Sequence, residues 1–300
     1  MQNETAMWTE RKSGTITSSR SSNNNMTNDG PSNKPTKTNE FPVLTERMRT
    51  ATISDHEKSN RLVNLKLALV VTSPPLYGEA VWLFVPIFAK MEQILKESKH
   101  PELMKFQPLL NALCREPGLR KDVAYYLTSD RQQELEQVAS QYQHSKNAWT
   151  EYLNRLDWIQ ANDPILMIAY VYHSYSGILA GGRILKRIVK KAMGLKKDRD
   201  DGVETFSLQD MNSKQMLTKL KHIINEEIYI TEEEEIRVIN EGRELFRLND
   251  QLVNTIQATP AWKKASKQCF QWTVLSLVGA SVVLASSLCW AILGKTTINR

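Results

Sequence analysis

DPILMIAYVYHSYSGILAGGRILKRIVKKAMGL, Asp163 to Leu195, is the stretch on which the fold turns. Its apolar residues recur at helical spacing, and Pro164 sits where a first-turn proline is tolerated after a capping Asp163. Three glycines, Gly177, Gly181 and Gly182, fall inside the helical pattern. Each costs roughly 1 kcal/mol against Ala in a helix interior, so the cluster asks for a reason. One reason is close helix–helix packing, because Gly177 and Gly181 lie four residues apart on one face. The other is a flat ligand that needs the backbone as its wall, with the glycines letting the helix kink around it. Spacing alone leaves both open.

Tyr172, Tyr175, Gly177, Leu179, Gly181, Gly182 and Leu185, followed by Lys186 to Leu195, resemble the distal-helix signature of the heme oxygenase family. The resemblance extends in order over roughly Thr45 to Gln257. It implies an all-α, heme-oxygenase-like helical bundle in which this kinked helix covers one face of heme, with Gly177 and Gly181 as distal wall and Gly182 and Tyr172 beside them.

The chain has 300 residues, enough for a sizeable core, and a formal net charge of +6, which is mild for this length. That charge favours anionic ligands or surfaces and is no nucleic-acid footprint. The three cysteines, Cys114, Cys269 and Cys289, give neither metal spacing nor a disulfide framework, so a reducing compartment is expected. None precedes a proline, so the Cys-Pro heme-sensing motif of some family members is absent.

Residues 1–40 are rich in Ser, Asn, Thr and Lys and nearly empty of apolar side chains, which reads as a disordered tail without a secretory signal. The first folded segment, Leu44 to Val71, reads as a helix held by Met48, Leu62 and Leu65. A lone His near a helix start is most simply solvated. Against the family, however, Ala51-Thr52 with His56 four residues on resembles the proximal segment, and His56 is then the axial iron ligand. Asn60 stands where a carboxylate usually accepts the other ring N–H. Arg49 matches a basic residue near a heme propionate, and Ile53 replaces a second one.

Thr72-Ser73-Pro74-Pro75 signals a loop before an aromatic-rich helix through Trp82, Phe84, Ile87, Phe88 and Met91, kinked at Pro86. Phe88 falls where the family often has a distal Tyr. Residues 97–160 read as two helices, and Lys196 to Ser213 as a surface loop. Two helices follow, divided near Ile230-Thr231, where Thr231 and Glu232 to Glu235 form a capping and macrodipole signal. The resemblance assigns Phe246 to the heme pocket and Asn249 to the distal hydrogen-bond network. It places a propionate-binding basic pair between Thr218 and His222, with Lys219 and Lys221 beside them.

Trp272 to Leu293 are 22 uncharged, mostly apolar residues, long enough to cross about 30 Å of hydrocarbon. Trp272 and Trp290 lie near the ends, and Lys263, Lys264 and Lys267 precede the run. The expected organisation is therefore a helical domain at 44–257, a linker at 258–271, a transmembrane tail anchor at 272–293 and a short lumenal end at 294–300. The resemblance points to the endoplasmic reticulum membrane with the domain facing the cytosol; the outer mitochondrial membrane is the alternative.

One departure bears on chemistry. After the first glycine of the distal motif the family usually has Asp, which relays protons to bound oxygen through a water; here it is Ile178. The usual Arg nearby is Ser174. The function implied is still heme oxygenase: oxidative cleavage of heme b, both substrate and cofactor, to biliverdin, CO and ferrous iron. It draws on O2 and electrons from NADPH through a membrane-bound NADPH–cytochrome P450 reductase. The alternative is a non-catalytic, membrane-anchored heme-binding or heme-sensing protein.

Overall fold

The computed structural model describes residues 42–141, 147–208, 212–259, 261–269 and 271, all within the second of two units into which the chain divides after Phe41. All regular structure among them is helical. The expected tail at 1–40 and the expected span at 272–293 lie outside the described residues. No described helix is long and apolar enough to cross a membrane.

The chain runs through α1 (Leu44–Ala51), α2 (Ile53–Val70), α3 (Pro74–Trp82), α4 (Val85–Glu97), α5 (Pro101–Met104), α6 (Gln107–Leu113), α7 (Glu116–Tyr126), α8 (Ser129–Gln141) and α9 (Ala148–Asn162). Then come α10 (Met167–Tyr170), α11 (Ser176–Met193), α12 (Ser213–His222) and α13 (Glu232–Thr255). The expected single helix at Leu44–Val71 is broken at Thr52, whose φ of −111° and ψ of 10° leave the helical region. The Thr52 hydroxyl donates to the Met48 carbonyl at 2.8 Å, the local bond by which Thr competes with helix continuation. Met48 is fully buried as expected, but Leu65 is 76% exposed and holds nothing.

Prolines set most other boundaries. Pro74 and Pro75 begin α3 rather than a loop, and Pro86 occupies the first turn of α4, so the aromatic helix is two helices and not one kinked one. The region 97–160 holds five helices, not two, because Pro101, Pro108 and Pro117 each start a new one. Residues 261–269, expected as linker, are helical.

The decisive stretch forms one run: a 3-10 turn (Pro164–Leu166), α10, a π-helical segment (Val171–Tyr175) and α11, closed by Gly194 in the left-handed conformation at φ 66°. Asp163 does not cap it; its carboxylate accepts from Arg237 at 2.9 Å. Near the centre, Ile168 to Val171 are fully buried. Here α10 packs on α13, which also packs on α1, α2 and α9. At Thr231 the expected capping box is present, with both reciprocal bonds formed.

The Lys196–Ser213 segment is more than a surface loop. Val203 is fully buried, and Asp122 of α7 accepts from the Glu204 and Thr205 amides and the Thr205 hydroxyl at 2.6 to 2.9 Å. Burial pushes the Asp122 carboxyl upward against those bonds. Asp200 accepts from Lys186 at 2.5 Å, Lys190 at 3.0 Å and Ser207 at 2.6 Å. Burial alone would raise its pKa, but these donors outweigh it and hold the carboxyl well below the carboxylate range. A depressed folded pKa gives stability that is present above the unfolded value near 4 and lost as pH falls through the folded one. Asp200→Asn should therefore lower the melting temperature at pH 7 by a few degrees, and the gap to wild type should narrow progressively as the pH falls below about 4.

Candidate functional site

Across a cavity of about 380 Å³, Ser59, Val63, Lys66 and Leu67 of α2 face His173, Ser174, Gly177, Ile178 and Leu185 of the π segment and α11. Ile87, Phe88 and Met91 of α4 and Asn249 and Val253 of α13 close it. Most of this wall is apolar, which suits a flat hydrophobic ligand carrying its own polar groups at one edge.

The glycine question is answered here. A Cβ built at Gly177 or Gly181 meets nothing within 4 Å, so neither glycine serves helix–helix packing. Their backbone faces open space, which is what a ligand wall requires. Gly182 is different: its Cβ would come to 3.0 Å from the Phe206 ring, so it admits Phe206 rather than ligand. Gly182 is not among the residues that line the cavity.

His56 sits on α2 one turn before Ser59, exposed, with its ring edge-on to Phe246 at 5.8 Å. Asn60 does not hold it, because its amide oxygen accepts from Asn64 at 3.3 Å. Asn249 accepts from the Tyr152 hydroxyl at 3.1 Å, and both side chains line the cavity. Burial foremost, then the field of Glu241, drives the Tyr152 pKa far up, so the phenol stays a donor. Tyr152 escaped sequence reading because its partner is 97 residues away.

The anionic-group rim is partly assembled. Arg49 forks onto Glu46 at 3.0 and 2.6 Å, and its charge reaches Tyr172, which is buried. Lys221 is the α12 cation whose field reaches Glu46. Lys219 is exposed, and His222 is exposed with Nε2 3.7 Å from Glu227. Neither joins Arg49. Cys114 is no nucleophile, since burial pushes its thiol up to about 12.

His173 is the residue that sequence reading passed over. It lies at the centre of the π segment, a geometry often found at functional sites, and lines the cavity. Its Nε2 is buried without a hydrogen-bond partner among the described residues. Burial, with the field of His56 adding, takes its pKa down to about 4, so the imidazole is neutral.

A family model described as heme oxygenase matches residues 43–255. Heme oxygenase 1 of Nostoc sp. is 25% identical over 216 residues, covering 71% of this chain and 86% of the relative. Heme oxygenase 1 of Pongo abelii is 27% identical over 171 residues, covering 57% of this chain and 56% of the relative. Heme oxygenase 2 from Chlamydomonas reinhardtii, solved without heme, superposes with a TM-score of 0.63 at 25% identity, covering 72% of this chain and 98% of that one. Heme oxygenase-1 from Synechocystis, solved in complex with heme, gives 0.65 at 23% identity, covering 79% and 100%. With its helical cavity, its bare distal backbone and a family match over 213 of its 300 residues, this chain belongs to the heme oxygenase family.

Proposed function

We propose that this protein is a heme oxygenase that opens the heme macrocycle to biliverdin, CO and ferrous iron, using O2 and electrons supplied by a membrane-bound reductase. The observation that carries the reading is the bare backbone of Gly177, which faces α2 across an apolar cavity, with the equally uncrowded Gly181 one turn on. The residues fit the macrocycle: apolar walls for its faces, bare peptide for close approach, and Arg49, Lys221 and Tyr172 at one edge for carboxylates. His56 is the residue proposed to hold the iron through a neutral imidazole nitrogen. The macrocycle supplies the redox chemistry when bound. The protein orients it, excludes bulk water with Phe88, Ile178 and Met91, and holds a hydrogen-bonding pair, Tyr152 and Asn249, over one face.

Ile178 lines the cavity and cannot hold a water by hydrogen bonding. Proton delivery through the position next to Gly177 is therefore absent, and we infer a slower or leakier turnover, with Ser174 and the Tyr152–Asn249 pair as remaining polar groups. The test is a single-turnover assay with hemin, reductase and NADPH, comparing wild type with Ile178→Asp. Wild type should make biliverdin, and the variant should make it faster with less hydrogen peroxide per NADPH. A wild type that binds heme and accepts electrons but yields neither biliverdin nor CO would favour the heme-sensing alternative.

The two glycines give a sharper separation of roles. Since nothing crowds a Cβ there, Gly177→Ala should raise stability by about 0.5–1 kcal/mol through helix propensity. The same methyl intrudes on the ligand wall, so hemin affinity should fall several-fold. Thermal melting and hemin titration of the one variant check both signs.

We further propose a membrane anchor at 272–293, oriented with its lysine flank on the cytosolic face of the endoplasmic reticulum. The 22 uncharged residues and the flanking Lys263, Lys264 and Lys267 support it. A chain ended after Gln257 should be recovered in the supernatant, whereas full-length protein should stay with membranes through an alkaline wash.

A further inference from the structure

We propose that the helix at 261–269 and the C-terminal half of α2 form one docking face for an anionic phospholipid surface, which fixes the end of the bundle that rests on the membrane. This rests on the membrane anchor proposed above and goes beyond it, because an anchor on a loose linker would leave the domain free to tumble.

The joint after α13 is built rather than loose. α13 runs into a 3-10 turn at Ile256–Ala258, and the Thr259 hydroxyl then accepts from the Trp262 amide at 3.2 Å, capping the next helix. That helix packs back on the domain: Ala265 is buried, and the Trp262 ring takes the Lys66 ammonium at 5.2 Å from its centroid. The contact continues a parallel register between two runs of chain. Arg47 pairs with Glu235, the Thr52 methyl lies against Gly242, Lys58 faces Asp250 and Lys66 meets Trp262. So α2 and α13 end together at one pole of the bundle. Tyr229 comes just before the 24 residues of α13 and marks the other pole, about 36 Å away at the α-helical rise.

Charge marks the first of these poles. The chain carries no acidic residue after Asp250, and α2 carries none after Glu57. Lys263, Lys264 and Lys267 are exposed on the helix at 261–269, with no ion pair among the described residues. Arg61 and Leu65 are exposed on the adjoining turns of α2. Lys66 adds a buried ammonium without a hydrogen-bond partner among the described residues, which is costly. A negative surface beside it offsets part of that cost. The 22 uncharged residues at 272–293 begin directly beyond this helix. Anionic headgroups are thereby the partner held at the highest local concentration, and each lysine near such a surface adds to the attraction.

The consequence is an oriented cavity. Val63, Leu67 and Val70 of α2, with Val253 and Ile256, line it at this pole. Arg49 lies on α1 two residues past Arg47, level with the Arg47–Glu235 pair and so toward the other pole. The apolar end of the cavity therefore stands nearest the lipid, and the Arg49 edge stands away from it.

The experiment uses the full-length chain, with Cys114→Ser, Cys269→Ser and Cys289→Ser, in nanodiscs of phosphatidylcholine and phosphatidylserine that carry a headgroup nitroxide lipid. A bimane fluorophore is attached through Leu65→Cys or, at the far pole, through Tyr229→Cys. The nitroxide should quench the Leu65→Cys label several-fold more than the Tyr229→Cys label, and the difference should shrink in discs of phosphatidylcholine alone. Lys263→Gln, Lys264→Gln and Lys267→Gln together should abolish the dependence on phosphatidylserine while the chain stays in the disc. Trp262→Ala, which frees the helix from α2, should bring the two labels together even with the lysines intact. Equal quenching at the two sites, greater quenching at Tyr229→Cys, or lysine and Trp262 variants that match the parent chain overturn the proposal. A full-length chain that does not co-purify with the discs removes the anchor reading itself, and this inference with it.

Discussion

Two helices, α2 and α11, stand apart across an apolar cavity although burial of apolar surface, at roughly 25 cal/mol per Å², would draw them together. The rest of the structure serves that separation. α13 packs on α2, α9 and α10 and closes the cavity with Asn249 and Val253, so a third helix helps to space the walls. Bulky residues at Gly177 and Gly181 would fill the gap from within; their absence keeps it open at a helix-propensity cost of about 1 kcal/mol each.

Fixing α13 falls to a buried charge. Glu241 is 3% exposed and accepts from Arg155 and from the Tyr170 hydroxyl, at 3.1 and 2.9 Å on one oxygen. An unpaired buried carboxylate would cost several kcal/mol, so the pair is held where partial separation is expensive and register is unique. Arg155 comes from α9 and Tyr170 from α10, so one carboxylate sets three helices. Asp122 plays the same part on the other side, seating the Glu204–Phe206 turn so that Phe206 can lie against Gly182. Glu92 does it a third time, accepting from the Arg115 and Glu116 amides at the start of α7. Asp122 and Glu92 thereby meet backbone donors that would otherwise be buried unsatisfied.

The polarity of the site follows from this frame. Outside the cavity the charges of Arg49 and Lys221 both reach Glu46, and that of Arg49 reaches Tyr172, while the cavity itself is lined largely by Phe, Met, Ile and Leu. A plane with carboxylates on one side has a single favourable orientation there. Ile178 and His173 lie close together on the cavity wall, one apolar and one an imidazole.

The sequence alone determined the helical class, the three anomalous glycines, the Thr231 capping box and the family resemblance, because these rest on local period, propensity and short-range motif. Near-neighbour chemistry suffices for them: a Thr-x-x-Glu closes on itself. Tertiary structure alone decided which glycines face open space and which faces Phe206, since all three look alike in the chain and differ only in what lies beyond the missing Cβ. It also decided that Asn60 turns away from His56, that Tyr152 meets Asn249, and that His173 faces the cavity from a π segment. The polar pairs among them join partners far apart in the chain, as with Tyr170 and Glu241, 71 apart, or Tyr152 and Asn249, 97 apart. No local pattern encodes those distances. They are fixed only when the packed helices bring the groups together and burial makes an unpaired polar atom costly.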